Sequence, residues 1–206
     1  MGNAVWVHSN STTGIVDEIQ YLAAATDSDP RHLVMHPNGN WVYVAYEAAS
    51  TVAVYSRDTT TGELTFTNTT YSLLPSGFTN TSSYWVDEVL FSLPTSNSSS
   101  SKSPQYLLAA TRSRTTSISG YVSAFALDAT TGAITEQLFL LPTTSSGGSS
   151  NDVSPAEFSE DYFDIADSGS NFIEVWKIKA NGNGTTAGVV AHLDTESGPA
   201  NVVWYS

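Results

Sequence analysis

Apolar positions in this chain fall into short runs of about five to eight residues, many alternating with polar ones, and each run is closed by turn chemistry. No window holds an i, i+3, i+4, i+7 stripe long enough to form a helix. The turns are legible as Pro37-Asn38-Gly39-Asn40, Thr60-Thr61-Gly62-Glu63 and Ala129-Thr130-Thr131-Gly132-Ala133, with glycine supplying the positive φ that such turns require. The pattern predicts an all-β chain.

A repeat lies on top of this pattern. One unit has strands over 32–37, 41–47, 51–57 and 64–74, and the next over 87–94, 105–112, 120–128 and 134–141. A third has strands over 152–159, 162–167, 172–179 and 188–194. Four antiparallel strands in each stretch of roughly 50–65 residues is the size of a propeller blade. The chain therefore reads as one partial β-propeller domain over 1–206, with complete blades at 27–75, 84–142 and 151–195. Strands at 4–8 and 15–24, within 1–26, read as the outer half of another blade, and 201–205, within 200–206, as the inner strand of one more.

Two architectures fit such ends: a small ring of about four blades with an imperfect seam, or roughly the second half of a larger ring. The second is the expectation, because an open stack leaves the apolar faces of its end blades uncovered. The same open edges are expected to favour self-association. A Ser-rich insertion at 95–103 reads as a surface excursion. The Ser/Gly-rich stretch at 143–150 is either a plain linker or part of the functional face, since it enters the third blade there.

Composition narrows the partners. The 206 residues are 40% hydrophobic, enough for a sizeable core, yet runs such as 42–46 and 138–141 are far shorter than the roughly 20 residues a bilayer span needs. A net charge of −13 and a pI near 4.3 argue against nucleic acid or an anionic membrane surface. Cysteine is absent, which removes disulfides, thiol nucleophiles and thiolate metal sites. Sequons at Asn10, Asn68, Asn80, Asn97 and Asn183 would suit a secreted chain, but a composition this rich in Ser and Thr produces them by chance. A cytoplasmic location is the expectation, with secretion as the alternative.

Candidate chemistry follows from aligning the repeats. In an up-and-down blade the start of the innermost strand and the end of the second strand share one rim. The entry positions hold Arg31, then Asp87-Glu88, then Asn151-Asp152, and the second-strand exits hold Glu47, Arg112 and Asp167. Units that agree in their apolar positions differ here, and each slot carries a charge or an amide. Only seven residues are Lys or Arg, and two of them occupy these slots. Arg31 and Arg112 are thus placed to hold a small anionic ligand through bidentate hydrogen bonds, or else to pair with neighbouring rim carboxylates. His32, Glu88, Asn151 and Asp167 complete the expected ligand-binding set.

Other chemistries find no support. His36, in His36-Pro37-Asn38-Gly39, reads as structural at a strand-to-turn junction, and His8 and His192 lie on outer strands. No spacing suits zinc or a calcium loop. No glycine-rich turn leads from a strand into a helix, and no serine sits in a G-x-S-x-G turn. Neither a metal nor an organic cofactor is expected.

Several motifs bear a resemblance. Asp29-Pro30-Arg31-His32-Leu33, His36-Pro37-Asn38-Gly39-Asn40-Trp41-Val42-Tyr43-Val44 and Glu47-Ala48-Ala49-Ser50-Thr51-Val52 resemble the seven-bladed lactonase propellers, which include bacterial-type 6-phosphogluconolactonase. Tyr84-Trp85-Val86-Asp87-Glu88-Val89, Gly120-Tyr121-Val122-Ser123-Ala124-Phe125, Gln137-Leu138-Phe139-Leu140, Ser146-Gly147-Gly148-Ser149-Ser150-Asn151, Ala191-His192-Leu193-Asp194 and Ala200-Asn201-Val202-Val203-Trp204-Tyr205 are similar to the fungal carboxy-cis,cis-muconate cyclases. The resemblance runs over essentially the whole chain and implies that an N-terminal portion of the usual length is missing.

It also implies site residues and a reaction. The family's arginine before the inner strand falls on Arg31, its glutamate at the second-strand exit on Glu47, and a second arginine on Arg112. A histidine contributed by the preceding blade would lie upstream of Met1. The implied activity is that of an intramolecular lyase, an isomerase that interconverts 3-carboxy-cis,cis-muconate and its muconolactone in aromatic-compound breakdown (the β-ketoadipate route), without cofactor. In it Glu47 is a proton donor or an orienting group. A lactonase of the 6-phosphogluconolactonase type and an inactive propeller serving as a binding scaffold are the alternatives.

Overall fold

The computed structural model describes residues 2–10, 13–14, 16–78, 80–94, 103–147, 153–182 and 184–205. In chain order the strands are β1 (Ala4–Asn10), β2 (Val16–Ala23), β3 (Pro30–Met35), β4 (Trp41–Tyr46), β5 (Thr51–Arg57) and β6 (Leu64–Ser72). They continue as β7 (Tyr84–Phe91), β8 (Tyr106–Ser113), β9 (Tyr121–Leu127), β10 (Ile134–Pro142), β11 (Val153–Pro155), β12 (Tyr162–Asp167), β13 (Phe172–Asn181) and β14 (Gly184–Asp194). The one helical turn among the described residues is a 3-10 turn at Thr81–Ser83.

The strands form three four-stranded antiparallel sheets with neighbour orders β3-β4-β5-β6, β7-β8-β9-β10 and β11-β12-β13-β14, preceded by a two-stranded sheet of β1 and β2. Each sheet runs in sequence order from inner to outer strand, the up-and-down blade of a propeller. β-Branched and aromatic residues fill the middle strands because these strands are covered on both faces. In β4 every residue from Val42 to Tyr46 is buried, whereas the outer strand β6 is mostly exposed.

The core accordingly lies between sheets rather than within any one of them. One cluster joins Tyr43, Val52 and Val54 of the first blade to Val86, Leu107 and Phe125 of the second. Another joins Leu108, Val122 and Phe139 to Phe163, Ile165 and Trp176 of the third. A third seats Val5 of β1 against Val42, Val44 and Tyr55. Burial against the neighbour fixes the blades in a stack, since each apolar face has no other cover.

Polar groups lock the first seam at its far end. The carbonyl of Thr131 accepts from Asn38 Nδ2 at 2.7 Å and from Trp41 Nε1 at 2.8 Å, and that of Gly132 accepts from the Tyr43 hydroxyl at 2.6 Å. His36, fully buried, packs edge-on against Phe91 with ring centroids 5.4 Å apart.

Two expected strands differ. Among the described residues the inner strand of the third blade pairs over Val153–Pro155 and stops short of the expected end at 159, because Pro155 cannot donate to the ladder and a turn follows it. The segment 201–205, expected as an inner strand, is not part of any sheet among the described residues. Trp204 instead donates its indole N–H to the Ser154 carbonyl at 3.2 Å and packs on Phe158. Nearly all of the insertion expected at 95–103 lies outside the described residues.

Candidate functional site

Two β-bulges build the rim. In the pairing of β3 with β4 the register passes from Pro30↔Tyr46 to His32↔Ala45, so Arg31 is the extra residue. In the pairing of β7 with β8 it passes from Val86↔Thr111 to Glu88↔Ala110, leaving Asp87 as the extra residue. A bulge breaks the alternation of side chains and re-aims the inserted one, and here the two insertions sit at equivalent places in successive blades.

The result is a four-residue charge cluster. Arg31 Nη1 lies 2.5 Å from Glu47 Oε1, and Arg112 Nη2 lies 3.4 Å from the same oxygen. Arg112 Nη1 lies 3.0 Å from Asp87 Oδ1, which is 3.9 Å from Arg31 Nη1. Side-chain exposure falls from 35% for Arg31 through 16% for Glu47 and 9% for Arg112 to 1% for Asp87, so the cluster runs from solvent into the protein. Buried carboxylates and guanidiniums are tolerated only when paired in this way.

Glu47 follows β4 directly and is fixed by its backbone. Its N–H donates to the Asp29 carbonyl at 2.9 Å, and its carbonyl accepts from Val86 N–H at 3.1 Å, tying the two blades together at the cluster. Arg112 is the penultimate residue of β8, which ends against the segment after β10, where Ser113 N–H donates to the Ser146 carbonyl at 2.7 Å. Gly147, at φ +82°, presses on this strand. A Cβ there would come within 3.2 Å of the Thr111 carbonyl oxygen.

A cavity of about 310 Å³ opens beside the cluster, lined by Trp85, Arg112, Ser113, Arg114, Thr116, Ser146 and Gly169. Arg112 belongs to both, so it carries the charge of the cluster into the cavity wall. Both Arg112 and Arg114 lie on the Trp85 ring, with guanidinium carbons 4.9 and 4.4 Å from its centroid. Arg31 borders a smaller hollow of about 120 Å³ against β1.

Of the residues expected to bind ligand, Arg31, Glu47 and Arg112 come together, and His32, Glu88 and Asp167 make their contacts elsewhere. His32 Nδ1 lies 3.2 Å from Glu88 Oε1, and Glu88 lines a separate, largely apolar cavity of about 470 Å³ with Leu90, Phe91 and Trp204. Asp167 accepts from the Ser145 hydroxyl and from Ser170 N–H, and touches neither arginine. Asn151 lies outside the described residues. Asp87 is the acid that the cluster uses in place of Glu88. The bulge decides between the two, and no residue type announces it. Arg114 was overlooked, although its spacing of two from Arg112 is the strand period and signals a shared side.

Among the described residues, no group of three or more His, Asp or Glu side chains is placed to hold a metal ion. No helix among them is long and apolar enough to cross a membrane.

Three four-stranded blades carrying a charge cluster on one rim define the chain as a β-propeller. Residues 4–92 match the family described as lactonase, 7-bladed beta-propeller. The carboxy-cis,cis-muconate cyclase of Neurospora crassa is 30% identical over 184 residues, spanning 86% of this chain and 48% of the relative. Among solved structures, a protein from Lactobacillus plantarum superposes with a TM-score of 0.70 at 18% identity, over 97% of this chain and 51% of that one. The periplasmic gluconolactonase PpgL of Pseudomonas aeruginosa does so with a TM-score of 0.70 at 16% identity, over 95% and 49%. The chain is similar to the lactonase-type propellers over residues 4–92 and to the fungal muconate cyclase over most of its length, and it spans about half the length of the relatives it matches.

Proposed function

We propose that this chain supplies the arginine side of an active site that interconverts 3-carboxy-cis,cis-muconate and its muconolactone. The observation that carries the reading is the convergence of Arg31 and Arg112 on Glu47 Oε1 beside a cavity of substrate size. The likeness to the Neurospora crassa cyclase over 86% of the chain supports it. In the reaction one substrate carboxylate adds to a conjugated double bond and a proton goes to the neighbouring carbon. Negative charge builds up at the acceptor end as the new C–O bond forms. Fixed guanidiniums aimed at that end lower the barrier because they need no reorganisation as the charge appears. Glu47, engaged by both arginines, acts as the orienting acceptor that holds them in register, and the proton is delivered by another group.

A lactonase is the second reading, favoured by the family match over residues 4–92. The two differ in whether water or a substrate carboxylate meets the acyl or alkene carbon. Offering 3-carboxymuconate and 6-phosphogluconolactone separately, and following diene absorbance and acid release, decides between them. Loss of diene absorbance without net acid release supports the cyclase. Acid release from the phosphogluconolactone alone replaces it with the lactonase.

A further inference from the structure

The four-residue cluster is charge-balanced. Arg31 and Arg112 face Glu47 and Asp87, two charges of each sign within 4 Å contacts. Taken alone it has no excess positive charge with which to draw in a polyanion, and the chain around it carries a net charge of −13. The excess lies in the adjoining cavity, at Arg114. This residue lines the cavity together with Arg112 and has no carboxylate partner among the described residues.

Arg114 is also pre-positioned. Its backbone N–H donates to the Ser83 carbonyl at 2.9 Å and its Nη1 to the Ser82 carbonyl at 3.3 Å. The guanidinium rests on Trp85 at 4.4 Å from the ring centroid. A guanidinium has five N–H donors, and one to Ser82 leaves the rest of the fork without an acceptor among the described residues. Because Arg112 and Arg114 share the Trp85 ring, their guanidinium carbons are no more than about 9.3 Å apart, a span that one small polycarboxylate bridges. The hydroxyl-bearing residues Ser113, Thr116 and Ser146 complete the wall.

We propose that Arg114 is a specificity-determining residue that receives an additional substrate carboxylate in this cavity, so that the site takes tricarboxylates over dicarboxylates. Naming 3-carboxymuconate as the molecule that brings the carboxylate rests on the cyclase reading; the subsite itself does not.

The test separates the two. The chain is titrated calorimetrically with tricarballylate and with glutarate, which differ by one carboxylate and do not react. Wild type is expected to bind tricarballylate about tenfold more tightly, the scale of one charge-assisted hydrogen-bonded pair. Arg114→Gln is expected to bring the two within about twofold, and Arg114→Lys, which keeps the charge without the fork, to give an intermediate ratio. Lys179→Gln, which removes an exposed charge elsewhere, leaves the ratio unchanged. A wild-type chain without preference, or an Arg114→Gln chain that keeps it, overturns the assignment. In parallel, Arg114→Gln is expected to raise KM for 3-carboxymuconate about tenfold while leaving kcat within about twofold. Discrimination through Arg114 in a chain that leaves 3-carboxymuconate unaltered retains the subsite and removes the cyclase. An unchanged KM and kcat for 3-carboxymuconate in Arg114→Gln, with the calorimetric preference also unchanged, does the reverse.

Discussion

Arg31 and Asp87 are the extra residues of matching bulges in the inner strands of successive blades, and their side chains meet across the seam with Nη1 and Oδ1 3.9 Å apart. A bulge spends one backbone pairing to turn one side chain, and here two such turns converge. Without the bulges the period of two would govern both strands, and residues 31 and 87 would each alternate with their neighbours across the blade faces.

The cluster predicts unequal stability losses. Asp87 is buried and faces the nearly buried Arg112, so Asp87→Ala leaves a guanidinium short of its closest carboxylate and is expected to cost about 3 kcal/mol. Arg31 is one-third exposed and water replaces its contacts, so Arg31→Ala is expected to cost less than about 1 kcal/mol. Urea unfolding of both variants measures the difference. Equal losses would mean that the order of burial within the cluster does not govern its energetics.

Activity is expected to follow Arg112 most steeply, since it alone belongs to both cluster and cavity. On the cyclase reading, Arg112→Ala lowers kcat/KM for 3-carboxymuconate by about 10²-fold or more. Arg112→Lys recovers little, because an ammonium cannot serve Glu47 and Asp87 from one planar fork. Steady-state rates of variants with unchanged circular dichroism check this, and an unaltered rate removes Arg112 from the chemistry.

How far the sequence disclosed these features depends on the kind of regularity behind each. The three blades were legible because burial on both faces gives the middle strands β4, β8 and β12 their dense apolar runs, and the turns between strands recur. Arg31, Glu47 and Arg112 were legible because equivalent blade corners converge. The choice of Asp87 over Glu88 was hidden, since it depends on a one-residue register shift that leaves no compositional mark. The failure of 201–205 to form a strand was hidden for another reason: strand propensity describes a segment, whereas a ladder depends on how that segment is set against the strands beside it.

Two turns of the same type predict a contrast between glycines. Asp58 accepts from the N–H groups of Thr60 and Thr61, Asp128 from those of Thr130 and Thr131, and Gly62 and Gly132 follow at φ +83° and +75°. A Cβ at Gly62 would meet only Arg57 Nη2 at 3.6 Å and Ile19 Cδ1 at 3.9 Å, which is ordinary contact. One at Gly132 would lie 2.5 Å from Cε1 of buried His36, which has no room to move between Gly132 and Phe91. Gly62→Ala is therefore expected to cost about 1 kcal/mol, for the left-handed backbone alone. Gly132→Ala is expected to cost about 3 kcal/mol, by adding overpacking at the blade seam. Chemical denaturation of the pair tests this, and comparable losses would show that His36 yields.

The outer edge of the third blade predicts a pH dependence. Glu174 and His192 are direct cross-strand partners on β13 and β14. His192 Nδ1 lies 3.1 Å from Glu174 Oε1 and Nε2 lies 3.1 Å from Asp194 Oδ1. The hydrogen bond to Glu174 first, and that to Asp194 second, raise the imidazole above its ordinary value of 6.5. A folded-state pKa above the unfolded one makes the charged imidazole stabilising wherever it is charged in both states. The contribution is complete below the unfolded value and fades as pH rises through the folded one. The difference in melting temperature between wild type and His192→Gln is thus expected to be larger at about pH 5.5 than at about pH 8.5. The His192 ring protons should titrate with a midpoint above 6.5 that falls back in Glu174→Gln. A midpoint at or below the ordinary value in wild type would show that the carboxylates do not hold the ring.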